Sequence, residues 1–485
     1  MPAIITDKFR IHNSEQFKEA FSESSGNTMY LGIGRPQAFA TSTRADSRTN
    51  NEGSDTSPVT PADNQNAQHF PFDDMLAAKK IAASDTTFVI PRRNWTTGTV
   101  YDIYRHDYGE YATGTTTAIT ANSGASTLHD ATFYVLTAAR NVYKCLDNNG
   151  NSTSTVEPTG TDVTILSTAD GYKWKYMYTL SASEQANFLS TDFMAVTTNS
   201  TVSSAAVDGA VNIVKIKTAG SGGTDGTHTG IAIRGDGSGG VCSVTVTSGA
   251  VTAVTVTTPG TGYTFGTISN AQIVAAGATG LSGAELDVII EPKGGHGKNA
   301  VEELGGFYVM MNTSLEGTES ANTGDFTVAN DFRKITLIRD PNSGGSAATA
   351  TTLRATKAVE LTGVSGSYVV DEKITQATTG AVGKVVEYDS TNKLLYYIQT
   401  RHNDEGVDSN GNQTAFSGNN VITGAGGATG TPTSNTKTLN SVSLTSGYSA
   451  SEIDADSGDI LYIENRAPIT RAADQTENIK LVIEF

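Results

Sequence analysis

The chain has 485 residues, more than one ordinary core organises, and its length alone suggests about three domains. Only 17% of residues are charged and 37% are hydrophobic, while 50 are Gly, a mixture rich in Thr and Ser that favours strands and turns over long Glu/Lys-rich helices. A net charge of −17, from 50 acidic and 33 basic residues, argues against a nucleic-acid binder and against attachment to anionic membranes.

In chain order, "AIITDKFRI" reads as a first strand and "NSEQFKEAF" as a short helix capped by Asn13 or Ser14, with Phe17, Ala20 and Phe21 on one face. "MYLGIGRP" reads as a strand. Residues 38–68 are polar and aperiodic, with Pro58 and Pro61, and read as a long loop. "FDDMLAAKKIAAS" reads as the best helix of the chain, with Met75, Leu76 and Ile81 inward. Strands return in "TTFVIPRRNW", "ATFYVLTAARNVYKCL" and "YKWKYMYTL". The start of the chain lacks the apolar core and cleavage site of an export signal, no run approaches the length of a membrane span, and the two cysteines, Cys145 and Cys242, form no disulfide framework. The expectation is a protein made in a reducing cytosol.

Between about 197 and 304 the composition turns to Gly, Thr and Val, and "VNIVKIKTAGSGGT" from Val211 is echoed by "VTAVTVTTPGTGYT" from Val251. The V-x-x-V-x-V pattern predicts a strand in each copy, followed by a glycine turn, and two copies suit a small β module of two similar hairpin units better than a solenoid. A second light block spans about 342–440, where "GKVVEYDSTNKLLYYIQT" predicts a hairpin turning at Asp389 to Asn392. The last strand, "NIKLVIEF", alternates apolar and polar residues.

No motif carries chemistry. "GDGSGG" (Gly235–Gly240) lacks the helix that would aim amides at a phosphate, and "GGHGKNAV" (Gly294–Val301) has Pro292 and Asn299 where a phosphate loop needs Gly and Ser/Thr. "DADSGD" (Asp454–Asp459) and "VDSNGN" (Val407–Asn412) fall short of a calcium loop, the seven histidines have no zinc spacing, and Arg234–Asp236 is an isolated "RGD". No nucleophile signature occurs. The expectation is no enzyme, no cofactor and no metal.

After long stretches with few charges, several gather near the end, in "DILYIENRAPITRAADQTENIKLVIEF", among them Glu464, Arg466, Arg471, Asp474, Glu477, Lys480 and Glu484. Their alternating signs beside two strands read as ion pairs at a junction, with "ENRAPI" turning the chain between core strands, Pro468 fixing the backbone and Arg466 gripping a carboxylate in two-pronged fashion. This closing segment resembles the C-terminus of the baseplate wedge subunit of T-even-type, contractile-tailed bacteriophages, whose signature is met by Glu464, Asn465, Arg466, Pro468 and Ile469, then Asp474, Gln475, Thr476 and Glu477. Ala467 stands where a second proline is common. "VIPRRNW", with Pro91, Arg92, Arg93 and Trp95, resembles another family block, with Asn94 for an acidic residue; "DKFR", "YKCL", "VEP", "DGYKWKYMY" and "NDFRKITLIRDP" follow in order.

The resemblance covers about 4–192, 305–341 and 441–485, and implies a mainly β chain with an antiparallel β-sandwich core, a few short helices and two inserted Gly/Thr-rich β modules. The expected division is 1–196, 305–341 and 441–485 as wedge core, with 197–304 and 342–440 as insertions. It further implies a structural virion protein of the tail baseplate, assembled in the host cytoplasm, a homodimer joined to other baseplate wedge and tail proteins. Pro91, Arg92, Arg93, Trp95, Glu464, Asn465, Arg466, Pro468, Asp474 and Glu477 are the candidate joint or subunit-contact residues. The competing readings are a receptor- or glycan-binding tail protein and, third, a glycan hydrolase.

Overall fold

A computed structural model describes residues 4–23, 27–43, 49–111, 115–316, 327, 330–400, 405–410, 412–472 and 476–485. The chain divides into two units, one of 1–16, 87–310 and 482–485, the other of 17–86 and 311–481. The fold is mainly β, with five α-helices of 5–14 residues among the described residues and every described ladder antiparallel. No helix among them is long and apolar enough to cross a membrane.

The first unit holds a four-stranded sheet in the order Ile165–Ser167, Lys173–Thr179, Asn141–Asp147, Tyr134–Leu136. Its strands are apolar on both faces, so they cannot show the simple alternation of a half-exposed sheet. Val135, Tyr143, Cys145 and Trp174 pack against Tyr101, Ile103 and Tyr172. Tyr134, Leu136, Val142, Leu146 and Tyr178 pack the other way, onto Val89, Ile90, Met194 and Ala195 of the paired strands Thr86–Pro91 and Phe193–Ala195. Two sheets sharing one core make the sandwich.

Within residues 211–290 a second core gathers around Val211, Ile231, Cys242, Val244, Val251, Tyr263 and Ile273, while Ile213 and Ile289 pack into the sandwich core. The two copies of the repeat are the strands Ile213–Ser221 and Ala250–Thr258, and each runs into two glycines of matching left-handed φ: 69° and 78° at Gly220 and Gly222, 68° and 76° at Gly260 and Gly262. What repeats is a strand and its turn. The hairpin partners differ, Ser282–Ile289 for the first copy and Val241–Thr247 for the second. Both ends of the block meet: Ser203 Oγ donates to the Lys298 carbonyl at 2.8 Å, and Ala300 N to Thr198 Oγ1 at 3.0 Å.

The second unit carries a five-stranded sheet in the order Thr352–Arg354, Met75–Ile81, Met29–Gly34, Phe332–Arg339, Asp459–Ile469, with Tyr30, Met75, Ala78, Ile338, Leu353 and Ile460 in its core. It also carries a ring of six strands, Lys357–Ser365, Lys373–Gln376, Ala381–Asp389, Leu394–Ile398, Ile422–Gly424 and Thr429–Pro432. The long first strand closes the ring by pairing Lys357–Glu360 with Leu394–Tyr397 and Leu361–Ser365 with Thr429–Pro432. Closure removes most open edges and lets a thin core of Val359, Ile374, Val385, Leu395 and Ile422 suffice. The hairpin at Asp389 turns as read, with Thr391 N and Asn392 N donating to Asp389 Oδ1. Tyr448–Ser449, beyond residue 440, still pairs with this ring at Ala358 and Val359.

Three local readings are corrected. Residues 7–20 form one helix, not a strand and then a helix; it starts at Thr6, whose hydroxyl accepts from Phe9 N at 3.3 Å, and turns Ile11 and Ser14 inward. Met75–Ile81 is a strand, not a helix. It pairs on both edges, with Met29–Gly34 and Thr352–Arg354, and burial on both faces erases the period that separates strand from helix in an Ala-rich run. The loop read at 38–68 contains short hairpins, Thr41–Thr43 with Thr49–Asn51 and Gly53–Ser54 with Ser57–Pro58.

Candidate functional site

Pro91 to Trp95 join the two sheets of the sandwich. Pro91 ends its strand opposite Phe193, and its carbonyl accepts from Tyr134 Oη at 2.9 Å. Arg92 N donates to the Asp192 carbonyl, and its side chain reaches the Ser190 carbonyl at 2.8 Å and Asn94 Oδ1 at 3.0 Å. The next residues cross to the other sheet and seal its edge: Leu136 N donates to the Arg93 carbonyl and Trp95 N to that of Leu136, at 2.7 and 2.8 Å. The Arg93 guanidinium lies 4.6 Å from the Tyr134 ring centroid and donates to the carbonyls of Ala131 and His129. Trp95 Nε1 donates to Ser154 Oγ at 3.1 Å. These polar atoms are used internally.

The C-terminal group falls in the other unit, and here the sequence reading needs correcting. "ENRAPI" does not turn the chain. Glu464 to Ile469 lie inside the strand Asp459–Ile469, at the edge of the five-stranded sheet, with Asn465 opposite Lys334 and Glu464 opposite Ile335. A proline is tolerated at an edge because its missing donor costs no ladder bond there. Among the described residues Arg466 grips no carboxylate in two-pronged fashion: it is 41% exposed, and its ion-pair partner there is Glu464 on the same strand at 3.9 Å. Asn465 Nδ2 donates to the Val59 carbonyl, and Gln68 exchanges hydrogen bonds with Ile460 N and O, so both ends of this edge are blunted against chance pairing. Glu477 accepts from Arg471 Nε at 2.6 Å, and Arg471 is fully buried. Asp474 lies outside the described residues.

The most heavily engaged charges were not singled out by sequence. Lys144, fully buried mid-strand, pairs with Glu303. Glu303 also accepts from Gly297 N at 2.8 and 3.0 Å and from Asn299 N at 3.2 Å. The "GGHGKNAV" loop therefore wraps its amides around an internal carboxylate, and Asn299 caps the helix Ala300–Leu304. Arg333 clasps Asp55 at 2.9 and 3.0 Å, and Asp74, 2% exposed, holds Lys334 Nζ at 2.8 and 2.9 Å. The only sequence signal for these was a charged residue within an apolar run, as in "NVYKCL" and "DFRKITLI".

The weaker motifs resolve into turns. Asp236 of "RGD" accepts from Thr264 N and Oγ1 and Phe265 N, bonds that hold its carboxyl down to about 2. Asp408 caps Asn410 and Asn412. Asp454 takes the amides of Gly344 and Gly345, Asp456 meets His69 at 3.0 Å, and Asp459 pairs with Arg339. Among the described residues no three His, Cys, Asp or Glu side chains converge as metal ligands do.

No individual curated protein matches the chain. The family model described as "Bacteriophage T4, Gp8" matches residues 3–149 and 417–485. The first stretch contains the sealing block Pro91–Trp95, and the second contains the edge strand Asp459–Ile469 and part of the six-stranded ring, which the sequence reading had placed outside the resemblance. With the joint, the edge strand and the closing strand inside the match, the chain is similar over these two stretches to the family of Gp8, the T4-type baseplate wedge subunit, and the match supports a structural component of a bacteriophage tail baseplate that interacts with other baseplate proteins.

Proposed function

We propose that the protein acts as a homodimer, catalyses no reaction, and is assembled in the host cytoplasm with the other wedge and tail proteins, contacting neither nucleic acid nor membrane. The family match carries this reading, and the net charge of −17 supports the exclusion of nucleic acid and anionic membranes. A two-fold pairing of the size stable dimers need would bury well over ~1,000 Å². Light scattering at micromolar concentration tests it: the mass should be twice 50.6 kDa. A monomer refutes the dimer, and a trimer refutes it in favour of a fibre-like assembly.

Within that reading the candidate residues take two roles. Pro91, Arg92, Arg93 and Trp95 act as the internal joint of the sandwich, because their polar atoms are consumed within it. Glu464, Arg466 and Pro468 act at a subunit contact, because the strand that carries them is an edge and Arg466 meets only Glu464, at 3.9 Å, among the described residues. Incorporation of Arg466→Glu into wedges separates the roles: assembly should fail while the melting temperature holds. Unimpaired assembly removes Arg466 from the contact.

A further inference from the structure

Inside the first unit a cavity of about 760 Å³ opens between the edge strand Ile165–Ser167 and the Gly/Thr-rich block, large enough for several residues of a peptide. Its floor holds Lys175, which is 6% exposed. Lys175 stands directly opposite Lys144 in the ladder, so two ammonium groups share one buried face. Like charges directly opposite repel and call for counter-anions. One is supplied: Glu303 answers Lys144 and spends its remaining capacity on the Gly297 and Asn299 amides. Glu291, the other carboxyl on the wall, accepts from Asn212 Nδ2 and His296 N, and burial raises its proton affinity toward the neutral acid. His296 is kept neutral by burial and by the nearby cations Lys144 and Lys175. Among the described residues Lys175 Nζ donates to the Val163 carbonyl and forms no ion pair. Burial lowers the proton affinity of Lys175, and its ammonium form, with three donors, meets one carbonyl and no anion among the described residues.

The strand beside it is open as well. Thr168 N donates to the Tyr172 carbonyl, which fixes the alternation of the ladder: Leu166 bonds inward to Trp174, and the amides and carbonyls of Ile165 and Ser167 face the free edge. Small side chains, Ala206 and Ala210 among them, line the opposite wall and leave room for another chain.

We propose that this cavity is a docking site for an extended, acidic segment of another protein, which adds a strand along Ile165–Ser167 and places one Asp or Glu carboxylate on Lys175. The recognition is β-augmentation with a charge-selective pocket: backbone pairing gives the register, and the missing counter-ion gives the specificity.

The test uses the full-length protein and a blocked pentapeptide, acetyl-Val-Thr-Glu-Thr-Val-amide, titrated calorimetrically beside its Gln counterpart and free glutarate. The Glu peptide should bind saturably, with the Gln peptide about tenfold or more weaker, the worth of one charge-assisted hydrogen bond. Lys175→Met should abolish that preference with little change in melting, since a Met of similar length fills the same apolar space. Ala206→Phe, which fills the cavity, should abolish binding of both peptides. Equal binding of the two peptides, a preference that survives Lys175→Met, or no saturable binding by ~10 mM would overturn the proposal. Glutarate binding as tightly as the Glu peptide would overturn it too, because the occupant would then be a free small carboxylate. Should Lys175→Met fail to fold, the Glu/Gln comparison and Ala206→Phe still decide.

Discussion

Replacing Glu303 by Ala removes the carboxylate that pairs with buried Lys144. Lys144 is fully buried and the Glu303 side chain is 4% exposed, so water cannot take over the lost role. The variant strands an ammonium group and also leaves the amides of Gly297 and Asn299 without their acceptor. Breaking a buried pair from one side costs about 3–5 kcal/mol, and the two amides push the value toward the top of that range. Lys144→Met is milder, because Glu303 keeps its amide donors; about 1–3 kcal/mol is expected. The double variant Lys144→Met/Glu303→Gln should recover much of the loss, since it leaves no unpaired charge at the pair. In a unit of this size the first variant should lower the melting temperature by roughly 10 °C, read as the shift of one transition by calorimetry. The ordering Glu303→Ala worse than Lys144→Met is the sharp part. If Glu303→Ala costs under about 1 kcal/mol, or no more than Lys144→Met, the carboxylate does not organise the loop and the reasoning fails.

Arg466→Ala should change stability by less than about 0.5 kcal/mol, because its ion-pair partner among the described residues, Glu464, is 3.9 Å away and both groups are substantially exposed; thermal melting checks it. Asp102 is 1% exposed; burial alone would raise its carboxyl, but bonds from Ser123 and Thr132, through amide and hydroxyl of each, outweigh this and hold it below the usual range. Its contribution is therefore complete above the unfolded carboxylate value near ~4 and is lost as pH falls through the lower folded value, so Asp102→Asn should be less stable at neutral pH and show a shallower acid decline in urea titrations. Replacing residues 203–298 with a short Gly/Ser linker should leave a folded sandwich by circular dichroism, since Ser203 and Lys298 are already hydrogen-bonded neighbours; insoluble chain would place the block in the core. EDTA should not move the melting temperature, and a shift of several degrees would point to metal at Asp454, Asp456 and Asp459.

What the sequence made legible follows from how each element is buried. The strands in "ATFYVLTAARNVYKCL" and the hairpin at Asp389 carry β-branched or aromatic residues bounded by turn residues, and both form as read. The repeat was legible to the level of individual glycines, because a left-handed turn restricts the residue itself. "MLAAKKI" was not legible, because a strand flanked on both sides shows the same small apolar run as a helix. The ring of six strands was half legible: its hairpins are local, but closure depends on one strand pairing with partners roughly forty and seventy residues away, which no local pattern encodes.

The charges reverse the expectation most usefully. Where they were conspicuous in the sequence, at the C-terminus, Glu464 and Arg466 sit loosely on an exposed edge strand. Where they were inconspicuous, one or two charges at a time within or beside apolar runs, Lys144, Asp74 and Arg333 are each buried and tied to named partners. A charge enters a core only if its hydrogen-bonding capacity is met there, so isolation in an apolar run is itself a sign of a specific distant partner. A cluster of alternating charges carries no such obligation, because water can serve every member of it. For a subunit that must hold its own fold and also bind neighbours, this separates the two tasks. The buried charges fix the interior, and the loosely held ones on the edge strand are those a partner can recruit without dismantling the fold. Lys175 belongs to neither class: it is buried like the first, yet among the described residues it forms no ion pair. That combination is what marks its cavity as the place where the interior of this protein is completed from outside.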